Sequence, residues 1–567
     1  MVEKMKLGEI LLEAGLIKKE QLKQALACHK KAGMKLGQYL VQREIVGESE
    51  IVKVLADQLR LNVYRPGRIA VDPELAAIVP FEMANKYQLA PLEKDDHLLR
   101  VAMTDPLDIR AVDAIESHTR IEVEPVICTE QHLIQVQKSL YGSFSDIGDI
   151  IEGFDEVTID EDSEKSAEIK DVDLSKLQGM AERAPVVVLV NSIIFQAVQE
   201  GASDVHISPQ KELVRVRIRV DGKLHEVPSP PKRCFLPLVS RLKILAGMDI
   251  AVSRKPQDGR FNVRMKNRDI NVRVSTIPSI YGENVVLRLL DTSNGIYSLE
   301  HLGMSAPDRK KLEAVITRPH GMILSTGPTG SGKSTSLYAI LKSINHPHIN
   351  IITVEDPVEY RIDDIMQVQL NSKAGMIFAD GLRSILRQDP DVVMVGEIRD
   401  LETAKVAVQA ALTGHRVLSS LHTNDAAGAF TRLTDMGIEP FLVSSVMGVS
   451  FAQRLVRTVC PACKAPYHPS KEVLKHWNLS ARANGNLVQG KGCINCMNTG
   501  YRGRIGVYEV LEIDEKIQDL ILKRSTAHEI TKAAVASGNF TTLKENAVEK
   551  VLEGITTLEE VASLVMD

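Results

Sequence analysis

No run of about 18 apolar residues occurs anywhere in this chain, and its N-terminus lacks a basic segment leading into an apolar one, so neither a membrane span nor a secretion signal is predicted. Excess positive charge is missing too. A net charge of −5 and a pI of about 6.3 give no global electrostatic reason to bind nucleic acid, and no nucleic-acid partner is expected. The seven cysteines are odd in number and do not resemble a disulfide framework. Cys28, Cys128 and Cys234 are isolated and read as small buried hydrophobes in a reducing compartment, the cytoplasm. What remains is an ordinary globular composition, 44% hydrophobic and 25% charged, spread over 567 residues. That length exceeds one core and implies about three or four domains.

One stretch organises the rest. Gly327-Pro328-Thr329-Gly330-Ser331-Gly332-Lys333-Ser334, continuing into Thr335, satisfies every fixed position of the phosphate-binding pattern G-x-x-x-x-G-K-[ST]. Its glycines let successive backbone N–H groups turn toward phosphate oxygens, Lys333 can reach the β and γ phosphates of ATP, and Ser334 can ligate Mg²⁺. Met322 to Thr326 reads as an apolar strand before the loop, and Thr335 to Leu341 as a helix whose N-terminus faces the anion.

Taken in order, the chain begins with a repeat: Leu7-Gly8-Glu9-Ile10-Leu11 returns 29 positions later as Leu36-Gly37-Gln38-Tyr39-Leu40. Each copy reads as two short amphipathic helices around a turn. From Leu61 to Tyr141, apolar runs such as Leu98 to Met103 alternate with helical stretches such as Thr129 to Leu140, which predicts an α/β or α+β unit. Residues 143–180 carry twelve Asp or Glu against three Lys, the composition of a solvated, mobile linker. Pro185 to Gln199 then reads as a buried helix. In Val214 to Val220 the alternation puts Arg215, Arg217 and Arg219 on one face of a strand, and Arg254, Arg260, Arg273 and Arg288 follow in the same domain. So many guanidinium groups in an acidic protein call for an anion, and the nucleotide is the obvious one; the alternative is a solvated basic face.

Beyond His301, strand-then-helix alternation predicts a parallel sheet, whose strands should present ligand groups at their carboxyl ends. Three such ends are polar: Glu355-Asp356-Pro357 after Ile351 to Val354, Gly396-Glu397-Ile398-Arg399-Asp400 after Asp391 to Val395, and His422-Thr423-Asn424 after Arg416 to Leu421. Phosphoryl transfer needs one carboxylate to hold Mg²⁺ through water and another to orient or deprotonate the attacking water. Glu355 and Glu397 fit these tasks. Which takes which is open, with water assigned to Glu355 and Mg²⁺ to Glu397. Further on, Cys460-Pro461-Ala462-Cys463 and, after 29 intervening residues, Cys493-Ile494-Asn495-Cys496 can bring four thiolates to one Zn²⁺ at about 2.3 Å each. Dithiol redox chemistry is the alternative, and it would not require two such knuckles.

In the order Gly327 to Ser334, Glu355 to Tyr360, Val395 to Asp400, and Thr413-Gly414-His415 through Asn424, these motifs resemble the P-loop, Asp box, atypical Walker B and His box of the type II and type IV secretion ATPases. The tetra-Cys site is similar to that of the assembly and secretion branches. This resemblance implies a multidomain α/β chain: a duplicated helical module at 1–60, an α/β domain at 61–142, the acidic linker at 143–180, a PAS-like arginine-rich domain at 181–300, and a RecA-like ATPase domain at 301–567 with a zinc subdomain at about 455–505. It implies a cytoplasmic homo-hexamer at the inner membrane, touching the membrane only through a platform protein and hydrolysing ATP to extend a type IV pilus; the alternative is type II secretion. It adds His422 to the catalytic set, with Arg383 and Arg387 near the γ phosphate and Arg273 and Arg288 presented to ATP from the preceding domain. The N-terminal repeats resemble ones that in some members bind cyclic di-GMP. Here the leading Arg of each repeat is Lys6 or Lys35, and the closing Gln is Gln58 in one copy but His29 in the other, so a guanidinium contact is lost. The module is therefore read either as helical packing or as a cyclic di-GMP site. A nucleic-acid translocase would share the P-loop, yet no basic channel is evident. A pure binding module is disfavoured because no expected catalytic position is missing.

Overall fold

The computed structural model describes residues 7–29, 36–43, 45–66, 69, 71–95, 97–141, 184–265, 268–291, 298–371, 375–477, 479 and 487–565. The acidic stretch 143–180, expected to be a linker, lies outside the described residues, as do Lys6 and Lys35. The chain divides into two compact units, Met1–Ser293 and Asn294–Asp567.

In the first unit the duplicated pattern folds as four helices, Leu7–Glu13, Lys19–Cys28, Leu36–Gln42 and Glu48–Leu59. Their apolar positions recur every three or four residues, so Ile10, Leu11, Leu40, Ile51, Val52 and Leu55 meet in one core. A three-stranded sheet follows, with β1 (Leu89–Lys94) antiparallel and β3 (Glu122–Ile127) parallel to β2 (Leu98–Met103). The helix Ile109–Thr119 supplies the crossover that a parallel pair requires. After the helix Ala184–Gln199 comes a six-stranded antiparallel sheet. Its strands are β4 (Asp204–Pro209), β5 (Val214–Val220), β6 (Lys223–Glu226), β7 (Gln257–Met265), β8 (Arg268–Ser279) and β9 (Gly282–Asp291), in the order β6-β5-β4-β9-β8-β7. Val214, Val216 and Ile218 of β5 are buried while the arginines between them are half-buried, as period-two alternation requires.

The second unit is organised by a seven-stranded sheet in the order β12-β11-β13-β14-β10-β15-β18. Its strands are β10 (Gly321–Thr326), β11 (Ile351–Glu355), β12 (Met366–Gln369), β13 (Val392–Val395), β14 (Arg416–Leu421), β15 (Met447–Val459) and β18 (Tyr501–Glu512). Helices cover both faces, so the central strands read as continuous apolar runs: Ile352, Val354, Val393 and Val395 pack with Leu382, Ala407 and Phe430, while Ile351, Met394 and Leu418 pack with Leu312, Leu337, Tyr338 and Phe451. All pairs are parallel except β15 with β18. This antiparallel edge departs from the expected all-parallel sheet because β15 and β18 are the two arms of a long hairpin, and its excursion carries the cysteines along with β16 (Lys464–Pro466) and β17 (Val488–Gly490). Because β10, β11, β13 and β14 run in one direction, the segments after them gather at a single edge of the sheet. Among the described residues no helix is long and apolar enough to cross a membrane.

Candidate active site

Between β10 and the helix Lys333–Ile344 the chain makes the tight loop that the glycine pattern requires. Gly327 and Gly332 have φ of 144° and 91°, where a side chain is strained. A Cβ on Gly332 would also sit 2.7 Å from Gln453 Nε2, and one on Gly327 would sit 2.6 Å from Ser331 Oγ. The loop rests on Gln453 of β15. This residue is 1% exposed and donates Nε2 to the Ser331 carbonyl at 2.7 Å. Sequence reasoning missed Gln453, because its partner lies 122 residues away and only the strand register joins them. Lys333 opens the helix, and its Nζ donates to the carbonyls of Gly327 at 2.8 Å and Pro328 at 3.1 Å. Burial pushes the ammonium down to about 8, with Glu397 opposing that shift and Arg454 adding to it.

The two carboxylates sit in contrasting surroundings. Glu397, just beyond β13, accepts from Arg399 Nη2 on Oε1, and His422 Nε2 lies 3.1 Å from its Oε2. Burial alone would raise its pKa, but these two partners outweigh burial and hold the carboxyl below the usual range. Glu397, His422 and Lys333 are thus brought together at one edge of the sheet. Glu355 ends β11 and is 4% exposed. Its Oε1 accepts from Thr353 Oγ1 at 2.6 Å and Gln367 Nε2 at 3.2 Å, and its Oε2 accepts from the Tyr338 hydroxyl. Burial raises its pKa despite these donors. Environments that drive two carboxylates in opposite directions suit them to opposite roles.

Arg383 donates to Glu402 at 2.7 Å and to Asp380 at 3.3 Å, while Arg387 donates to the Arg383 carbonyl at 2.9 Å and to Ser384 Oγ at 3.3 Å. Both are therefore held on the surface, Arg387 at the end of the helix Phe378–Ile385, and Arg383 between that helix and the helix Leu401–Leu412, which carries Glu402. Arg273 and Arg288 belong to the other unit, where they face each other across β8 and β9. The register extends the row: Arg219, Asp204, Arg288, Arg273 and Arg260 lie side by side across β5, β4, β9, β8 and β7. Asp204 takes Arg288 Nε at 3.1 Å and Arg219 Nε at 3.6 Å. The row thus places four guanidinium groups and one carboxylate side by side, and like charges directly opposite one another, as Arg273 and Arg288 are, are unfavourable by themselves.

The hairpin brings Cys460, Cys463, Cys493 and Cys496 together, with their sulfurs all within 4.8 Å of one another. The Sγ separations Cys460 to Cys493, Cys463 to Cys496 and Cys493 to Cys496 are 3.9, 3.8 and 3.7 Å. A tetrahedron with metal–sulfur bonds of about 2.3 Å has edges of about 3.8 Å, so this donor set fits Zn²⁺. The thiols are shifted unequally: Cys496, which burial alone would raise, is lowered by N–H donors of Cys493 at 3.2 Å and Gly500 at 3.3 Å, while burial raises Cys463 and Cys493, so binding a metal must displace protons from these sulfurs.

A family model described as type II/IV secretion system protein matches residues 179–563. The chain belongs to that family. It is an ATPase, as the family and the P-loop together require. A second model, the MshEN domain, matches residues 59–146, which lie beyond the duplicated helices. The type IV pilus assembly ATPase PilB of Myxococcus xanthus is 39% identical over 560 residues, covering 98% of each chain. The type II secretion system protein E of Pseudomonas aeruginosa is 51% identical over 385 residues, 68% of this chain and 76% of its own. Among solved structures, the Legionella pneumophila ATPase DotB shares the fold at 22% identity with a TM-score of 0.51, covering 67% of this chain and 95% of that one.

Proposed function

We propose that this ATPase powers type IV pilus assembly as a homo-hexamer, peripheral at the inner membrane, turning ATP hydrolysis into domain rotation against a platform protein. The observation that carries this reading is the end-to-end match to a pilus assembly ATPase, which includes the N-terminal helices. A second reading, a type II secretion motor, is favoured by the higher identity over the ATPase part.

In this mechanism the loop 327–335 wraps the phosphates of ATP, its backbone N–H groups donating at every position but Pro328, which has none and only shapes the turn, and the Lys333 ammonium binds them as well. Glu355 orients the attacking water and accepts its proton, which the raised pKa of a buried carboxylate suits. Glu397, kept ionised by Arg399 and His422, acts with Ser334 as the Mg²⁺ position. The ion would neutralise charge on the phosphates. His422 positions Glu397. Arg383 and Arg387 serve near the γ phosphate, which requires them to leave the Glu402, Asp380 and Ser384 contacts that hold them in this structure, while Arg273 and Arg288 reach ATP from a neighbouring subunit; the alignment of four arginines in one row supports the latter pair. The tetra-Cys site holds a structural Zn²⁺, since four thiolates leave no open coordination position. Cyclic di-GMP is proposed as a ligand of the N-terminal module, supported by the adjoining MshEN match. The division into domains at 1–60, 61–142, 181–300 and 301–567 is proposed with it.

Deleting the gene in its host and scoring surface pili against secreted enzymes tests the reading: loss of pili with secretion intact is expected, and the reverse would transfer the assignment to secretion. In the purified protein, Glu355→Gln and Glu397→Ala should retain ATP binding and lose about 10² to 10⁴ in turnover.

A further inference from the structure

Tyr338 lies one and a half turns into the helix that begins at the P-loop lysine, and it is 1% exposed in the apolar core beneath the sheet. A tyrosine in such a place normally finds a partner for its hydroxyl. Here the hydroxyl donates to Oε2 of Glu355 and accepts the Glu359 N–H at 3.2 Å. The other carboxylate oxygen is taken by Thr353 and Gln367, and Gln367 is itself fixed by the Tyr360 carbonyl at 2.9 Å and the Ile362 N–H at 2.8 Å. Both oxygens of the catalytic candidate are thus clamped from three directions. Only the Tyr338 arm comes from the helix whose first turn binds the nucleotide.

We propose that Tyr338 is a positioning residue for hydrolysis, its hydroxyl fixing the Glu355 carboxylate and tying its orientation to the P-loop helix. The inference rests on Glu355 acting as the base. A carboxylate that takes a proton from water must hold one rotamer within hydrogen-bond reach of that water, and must be ionised before the step. The hydroxyl serves both needs. It pins the rotamer, and as a donor to the charged form it opposes the rise that burial imposes on Glu355; the nearby carboxylate of Glu359 pushes in the same direction as burial. Coupling through one helix also means that a shift of its first turn on nucleotide binding moves the carboxylate with it.

Tyr338→Phe removes the hydroxyl and keeps the ring. In full-length protein, kcat for ATP should fall about tenfold to a hundredfold with KM changed less than about threefold, as expected when a hydrogen bond to a charged group acts on the chemical step and not on binding. The acid limb of the kcat profile should move to higher pH. Site-specific 3-fluorotyrosine at position 338, a more acidic phenol of nearly the same shape, should move that limb to lower pH, and it serves as the test if the phenylalanine variant fails to fold. A Tyr338→Phe enzyme with kcat within about twofold of the parent and an unmoved acid limb overturns the proposal, as does a fluorotyrosine enzyme whose limb moves upward or not at all. Full activity in Glu355→Gln would instead remove Glu355 from the reaction, a failure of the underlying reading that this variant detects independently.

Discussion

Lys333 offers a pH test of the nucleotide site. In the protein its ammonium is drawn down from an ordinary 10.5 to about 8, chiefly by burial, and it is held by two carbonyl oxygens of its own loop. A polyphosphate arriving in the loop offers full negative charge in place of those carbonyls, which restores the charged form. The sign follows from linkage. Below about pH 8 the lysine is already protonated and binding takes up little; above it, binding must first recruit a proton, so affinity falls as pH rises. If the bound lysine returns to its ordinary value, raising the pH from about 7.5 to about 9.5 should weaken ATP binding about 20-fold, with uptake growing from about 0.2 to nearly one proton per site. Titration calorimetry in buffers of different ionisation enthalpy reads both quantities, and Lys333→Met should bind weakly with no such slope. An affinity independent of pH across this window, with no proton uptake at its upper end, would refute the argument that burial has depressed this lysine.

Metal analysis of the purified protein should find one Zn²⁺ per chain, and Cys460→Ser should lose it together with local order while retaining most of its nucleotide affinity; zinc-free wild-type protein of full stability would contradict the assignment. Gln453→Leu, which deletes the amide beneath the P-loop, should weaken ATP binding by about tenfold, the scale of one buried hydrogen bond and the acceptor it strands, with little change in zinc content. Mixing Lys333→Ala with Arg273→Ala subunits, each inactive alone, should restore partial hydrolysis by pairing an intact P-loop with an intact arginine across some interfaces; no recovery in rings shown by native mass measurement to be mixed would place Arg273 outside the neighbour's site.

Local patterns were legible in the sequence because local chemistry demands them. The P-loop needs glycine where φ is positive and a lysine at the start of the helix, so Gly327 to Ser334 announces itself. Apolar runs of four to six residues with polar ends marked β10, β11, β13 and β14, and with them Glu355, Glu397 and His422. Pairs of cysteines with two residues between them marked the metal site, although the gathering of their sulfurs within 4.8 Å of one another depends on a hairpin whose arms pair from Val449 with Glu512 to Val459 with Tyr501. Only the tertiary structure decided which side chains hold these groups in place. Gln453 beneath the loop and Tyr338 on Glu355 carry no mark in their own segments, because their partners are 122 and 17 residues away; the arginines were visible as a cluster, but only the strand register aligned Arg219, Asp204, Arg288, Arg273 and Arg260 in one row. The opposite pKa shifts of Glu355 and Glu397 are likewise invisible in two similar strand ends, because a carboxylate's charge is set by burial and by the donors that the completed fold brings within about 3 Å.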